Sequence, residues 1–199
     1  TLAVQLIVII LASFALGKLR PWGSGFIEIL FLSGLFITSE MLTIPNFTTL
    51  KAWGLNGTRL ALLLPYVTLG LPTATFIMIN YVKGLPKELD EAARLDGCSY
   101  FGVFWRILLP NSKTVMFVVA LFCFVGCWND FFGPLIYLND MEKYTLAVGL
   151  VMLKASQGAT LDMGPMMAAA LIAVIPTFIL YLTCQKYFVQ GITSSGIKG

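Results

Sequence analysis

Histidine is absent from this 199-residue chain, and with it go the ordinary imidazole base and the commonest nitrogen ligand for a metal. Charge is scarce as well. Only 12% of residues are Asp, Glu, Lys or Arg, about half the share usual in a soluble domain. The net charge of +3 is too small to point to nucleic acid as a partner. Four cysteines are present, Cys98, Cys123, Cys127 and Cys184, each in or beside an apolar run. Cys123 and Cys127 share a helix face at i, i+4, but no third ligand lies near them, so they read as packing residues rather than a metal site. No signal peptide is visible, and Thr1 opens directly inside an apolar run, which implies a natural start further upstream.

What fills the chain instead is apolar sequence: 58% of residues are hydrophobic and the mean hydropathy is +0.85. Crossing the hydrocarbon core of a bilayer takes about 20 mainly apolar residues. Five segments meet or approach that length, at 1–17, 26–44, 60–82, 114–128 and 164–187, the first of them shortened at its beginning. Between the first two, Gly17 to Gly23 carries two cations, Pro21 and glycines, and reads as a tight loop. Residues 45–58 are polar and turn-rich; the two glycosylation sequons there, at Asn46 and Asn56, are read as chance. The third segment is interrupted by Pro65, Gly70 and Pro72, breakers that membrane helices tolerate when neighbours satisfy the freed carbonyls. Residues 129–163 are mixed, with 131–138 expected as a short or re-entrant segment and the remainder as an external loop and helix.

Five spans put the two ends of the chain on opposite sides. One side then collects Lys18, Arg20, Lys83, Lys87, Arg94, Arg106, Lys113, Lys186 and Lys198, the other Lys51, Arg59, Lys143 and Lys154. Cations concentrate on the cytoplasmic side, so the loop at 83–110 and the C-terminus are expected there. The chain reads as one all-α, polytopic transmembrane domain over 1–199.

The polar stretch from Lys83 to Pro110 stands out against this background. Lys83, Lys87, Glu88, Asp90, Glu91, Arg94 and Asp96 fall within it, with apolar sequence on both sides. Pro86 suits a first helical turn because its missing N–H would have no partner there, and the acids that follow suit the positive end of the helix dipole. Asp90 and Arg94 are spaced i, i+4. Gly97 falls where a helix terminates with φ > 0. A helix of about eleven residues is implied, too short to be stable alone in water. Its less polar face carries Leu89, Ala92 and Ala93, small enough to let another surface come close, so the helix is expected to dock into a groove.

Glu91-Ala92-Ala93, three residues, Gly97, nine residues, Ile107, one residue, Leu109-Pro110 resembles the EAA signature of ATP-binding-cassette importer permeases. Trp128-Asn129-Asp130-Phe131 with Pro134-Leu135, and the ending from Gln185 to Thr193, are similar to the carbohydrate-uptake branch, in particular to the second membrane subunit of maltose-type systems. The resemblance covers essentially the whole chain. It implies the type I importer permease fold, in which a further N-terminal span precedes the five seen here. It also implies that the helix around Glu91 is a coupling helix seated in a cytoplasmic ATPase, with Leu89, Glu91, Ala92, Ala93, Asp96, Gly97, Ile107 and Pro110 as its coupling positions. The implied partners are a second permease subunit, two copies of the ATPase, an extracellular or periplasmic solute-binding protein and the lipid bilayer. ATP and Mg2+ would belong to the ATPase, and this chain would hold no cofactor and catalyse no reaction. In agreement, the segment Gly191 to Lys198 misses a phosphate-loop pattern because Ile197 stands where Lys is needed, and it follows an apolar segment rather than a strand.

Polar residues at membrane depth are functional candidates by default. Asn129 and Asp130, at the outer end of the fourth segment, either line a translocation path or cap a helix end. Asn80 and Thr73 in the third segment either face a pore or bond between helices. Glu40, about 21 Å along a helix from Phe26, points to the outer boundary, and Glu28 to a solvated or paired end. Met163, Met166 and Met167 read as packing. A saccharide is the expected solute; a polyol or a glycerol phosphate is the alternative. A secondary transporter would need paired broken helices in matching halves, and no such pairing is visible.

Overall fold

The computed structural model describes residues 1–95, 97–156 and 163–195; Asp96 and the last four residues of the tail lie outside the described set. All the regular structure among the described residues is helical. Helix α1 (Leu2–Phe14) continues through a π-helical turn, Ala15–Leu19, and stops at Arg20, whose φ of 42° is left-handed. The reversal therefore comes three residues later than the sequence suggests, with Gly17 and Lys18 still helical. Gly17 is needed there: a Cβ would lie 2.8 Å from Val82 Cγ1, so the first and third apolar segments approach more closely than any larger residue allows.

Helix α2 (Ser24–Ser33) runs on through a 3-10 turn to Phe36, and α3 (Ser39–Ala52) leaves it at 99°. Residues 26–44 are thus not one helix. The break falls at Ile37 and Thr38, both extended, and the segment after it is helical where turns were expected. Pro45 sits inside α3. It removes the N–H that would bond the carbonyl of Met41, and Thr43, Thr48 and Thr49 turn their hydroxyls back onto the carbonyls of Ser39 and Pro45, an arrangement that bends helices.

A 3-10 turn, Arg59–Leu62, enters α4 (Leu63–Gly84), which bends by 42° between Thr68 and Gly70. Next comes α5 (Lys87–Leu95), nine residues long. Then α6 (Tyr100–Val103), a π-helical turn over Phe104–Leu108, and α7 (Leu109–Asn111) lead at 73° into α8 (Lys113–Asn129). Helices α9 (Phe132–Tyr137), α10 (Leu146–Ser156) and α11 (Met163–Ser195) complete the chain. Among the described residues, Leu2–Leu19 and Met163–Cys184 are each long and apolar enough to cross a membrane alone, and the three bent pairs are so only when each is taken as one span.

Two cores lie towards opposite ends of α4. In the larger, α1, α4 and α8 bury Ile9, Met78, Val82 and Val119, and the ring of Phe104 stands edge-on to Phe14 at 5.0 Å. The aromatic run after Gly97 is therefore anchored in the bundle. In the smaller, Leu50 of α3, Ala61, Leu62 and Tyr137 and Leu138 of the α9 segment are buried together. Residues 131–138 pack into this lobe, which Gly57 fastens by donating its N–H to Tyr137 O at 2.9 Å. Helix α11 is joined to the bundle through Trp128, whose indole donates to Ala173 O at 3.1 Å.

Candidate functional site

Two regions at the two ends of α4 bring the sequence-nominated residues together. The first is the polar loop. Its helix α5 is separated from α4 only by Leu85 and Pro86, and it ends as the sequence pattern predicts: Gly97 has φ +73° and Cys98 N–H bonds to Ala93 O at 2.9 Å. This six-to-one closure satisfies a carbonyl that the last turn would leave bare. Ala93 is buried, whereas Leu89, Glu91 and Ala92 are exposed. The face expected to be shared by Leu89, Ala92 and Ala93 is therefore divided, with Ala93 turned into its own chain. Ile107 is half-buried and Pro110 exposed. Leu95 at the end of α5, and Phe101 and Trp105 soon after it along the chain, leave apolar surface uncovered.

Lys18, from the π-helical turn that follows α1, pairs with Asp90 on α5. Sequence spacing suggested Arg94 as the partner of Asp90, but the side chain of Arg94 lies outside the described set. A second pair, Lys83 Nζ to Glu28 Oε2 at 2.6 Å, joins the end of α4 to α2, so Glu28 is the paired end residue. Ser99 opens α6 by accepting from Gly102 N–H at 3.3 Å.

The second region is a cavity of about 370 Å3 at the other end, bounded by α1, α3, α4, α8 and α9. Asn129 and Asp130 both line it. Asp130 Oδ1 also accepts from Gly133 N–H at 3.4 Å, a side-chain bond to the backbone at the entry to α9, while the residue lines the cavity. Glu40, in the first turn of α3, lines the same cavity. The other two nominees are elsewhere. Thr73 lines a separate cavity of about 260 Å3 between α4 and α8, and Asn80, though exposed, is not among the residues around either.

Two further residues of the larger cavity, Gln5 and Tyr66, escape sequence reasoning. Gln5 was visible as the one amide in a charge-free apolar run. Its neighbour Gly70 was visible only as a helix breaker, yet a Cβ there would overlap the Gln5 amide. Cys123 and Cys127 also line the cavity, and no cluster of metal-ligating residues is present among the described residues.

Residues 5–194 match the model of the binding-protein-dependent transport system inner membrane component family. The chain belongs to that family. Among its similar relatives, the probable ABC transporter permease protein YurM of Bacillus subtilis is 35% identical over 94% of this chain and 62% of its own length. The arabinooligosaccharides transport system permease protein AraQ of Halalkalibacterium halodurans is 34% identical over 95% and 66%. The chain thus spans less than two thirds of either relative. A bacterial ABC transporter involved in the import of the acidic polysaccharide alginate has a chain of the same fold, with a TM-score of 0.79 and 24% identity over 92% of this chain and 69% of that one. Family membership makes the protein an inner membrane component, and its named relatives are transport permeases rather than enzymes.

Proposed function

We propose that this family member is the membrane-spanning permease subunit of an ATP-driven saccharide importer, coupled to a cytoplasmic ATPase through α5. The observation that carries the reading is the construction of α5. It is a nine-residue charged helix, closed sharply at Gly97, with exposed Leu95 at its end and exposed Phe101 and Trp105 soon after it along the chain. A helix this short is not stable on its own, and these apolar side chains offer a partner something to bury. Glu91 and Ala92 would sit in the ATPase surface, Gly97 would permit the turn, and Ile107 and Pro110 would carry the displacement into α8. Asp96, outside the described set, completes the group by the family pattern alone.

The importer would comprise this chain, a second permease subunit, two ATPase copies holding ATP and Mg2+, and an external solute-binding protein. Five spans, three of them bent, would place α5 and the C-terminus in the cytoplasm and the cavity near Asp130 towards the outside. The saccharide assignment is supported by AraQ, named for arabinooligosaccharides.

The test is purification of the assembled complex with its binding protein, followed by ATPase measurement over a panel of saccharides. Stimulation by a saccharide is the expected result. A complex that forms without any ATPase subunit, or hydrolysis that no solute changes, overturns the reading.

A further inference from the structure

The cavity at Gln5 holds more hydrogen-bonding capacity than the chain itself uses. Gln5 is 99% buried; its amide nitrogen donates to Tyr66 O at 3.1 Å, and its Oε1 is buried without a partner. The Tyr66 hydroxyl is also buried and makes no hydrogen bond of good geometry, with the Asp130 carboxylate near enough to act on it. Native chains rarely leave such groups bare, because desolvating them without a replacement bond is costly. Both residues line a cavity whose volume, about 370 Å3, lies in the range of small-molecule sites. An alcohol can donate to Gln5 Oε1, while its oxygen accepts from the Tyr66 hydroxyl. Phe122 and Phe132 also line the cavity and are exposed, giving flat apolar surface for the C–H face of a sugar ring.

Charge narrows the ligand further. Among the described residues lining the cavity, Glu40 and Asp130 are acidic and none is basic. An anion entering this partly desolvated space would meet two carboxylates and no compensating cation within the chain.

We propose that the cavity is a subsite for an uncharged, hydroxyl-rich saccharide unit, recognised by Gln5 and Tyr66, and that it excludes solutes bearing carboxylate or phosphate. The proposal rests on the importer reading and adds a substrate class to it. It sets this chain apart from its fold neighbour, whose transporter imports an acidic polysaccharide, and it excludes a glycerol phosphate as the solute.

Cys127, half-buried on the cavity wall, serves as the reporter in the complex assembled with its partner subunits in lipid nanodiscs, the other three cysteines being replaced. Its modification by a neutral and by a sulfonate-bearing methanethiosulfonate reagent is timed and referred to the same ratio on free cysteine. The sulfonate reagent should lag by a further factor of roughly ten, and Asp130→Asn should remove most of that lag. Neutral trisaccharides of arabinose, maltose and cellobiose type are then tested for protection of Cys127 against a trimeric uronate. At least one neutral sugar should protect and the uronate should not. Gln5→Leu should weaken protection about tenfold, and Tyr66→Phe, which removes only one oxygen, should do so without disturbing assembly. Equal rates for the two reagents, protection by the uronate, or protection by none of the sugars overturns the subsite. If the same complex still shows saccharide-stimulated ATPase activity, the importer reading stands while the subsite falls. If that stimulation is missing, the importer reading falls as well.

Discussion

Gly97 holds a backbone conformation that a β-branched residue cannot adopt without strain. At φ +73° the penalty for Val is about 1–3 kcal/mol, enough to unwind the end of a nine-residue helix yet remote from the buried cores. Gly97→Val should therefore reduce transport severely while the amount of protein in the membrane fraction stays near wild type; unimpaired uptake would remove the coupling role. Asp130 permits a finer separation, because it both accepts a backbone hydrogen bond at the entry to α9 and lines the cavity. Asn can still accept from Gly133 N–H, whereas Ala cannot, and losing a hydrogen bond of this kind costs about 1 kcal/mol. Asp130→Ala should lower the melting temperature of the purified complex and Asp130→Asn should leave it unchanged, with both altering solute affinity. Wild-type affinity in both variants would leave Asp130 with its backbone hydrogen bond alone. Gly97 could be read from sequence because helix termination is a local matter, decided within a few residues. Gln5 and Tyr66 could not. Their significance lies in what neighbouring helices fail to offer them, and that depends on packing between α1 and α4, 61 residues apart along the chain.

Among elements, α5 has a link to the bundle that spacing along the helix does not disclose. Lys18 at the end of the π-helical turn after α1 pairs with Asp90, and the other oxygen of that carboxylate is buried without a partner. The side chains are only 12% and 22% exposed, so this pair is shielded from the screening that makes surface ion pairs weak. On the proposed coupling role, movement of α5 would be tied to α1 as well as to α8. Lys18→Glu should uncouple the two, leaving ATP hydrolysis running with diminished uptake, because a carboxylate would face Asp90. The exchange Lys18→Glu with Asp90→Lys should restore the ratio of uptake to hydrolysis by at least half. A double variant no better than the singles would show that the pair does not carry the motion. The same lesson applies to α3. Composition made 45–58 look like turns, since Pro45 and the threonines are poor helix formers, but burial of Leu50 in the small core outweighed propensity. The apolar segments themselves were legible because bilayer length imposes a minimum run. Their bends were not, since a bend at Ile37 depends on where the next element packs.

At the scale of the whole molecule, burial is uneven in a way that only a non-aqueous surrounding or a partner can accommodate. Only 6% of the Met163–Cys184 segment is buried inside the chain, though its mean hydropathy is 2.2, and Leu171, Val174 and Phe178 are all exposed. In water such a surface would drive aggregation; in lipid it is the favourable arrangement, and a lysine at its midpoint would cost about 2.5–3.5 kcal/mol on insertion scales. The cation distribution then selects one of two orientations. Lys18, Arg20, Lys83 and Arg106 fall in the segments assigned to one side and Lys51, Arg59 and Lys143 in those assigned to the other, and by the cation bias the richer side would face the cytoplasm. Single cysteines in an otherwise cysteine-free chain make this measurable, using a membrane-impermeant maleimide on spheroplasts and on inverted vesicles. Trp53→Cys, at an exposed position just beyond α3, should react only in spheroplasts. Trp22→Cys and Leu95→Cys, the first fully exposed and the second nearly so, should react only in inverted vesicles, and Val174→Cys should react in neither because lipid covers it. The reverse pattern would put α5 on the outside, where no ATPase could reach it. Reaction of all four in both preparations would mean that the bent helix pairs do not cross the membrane.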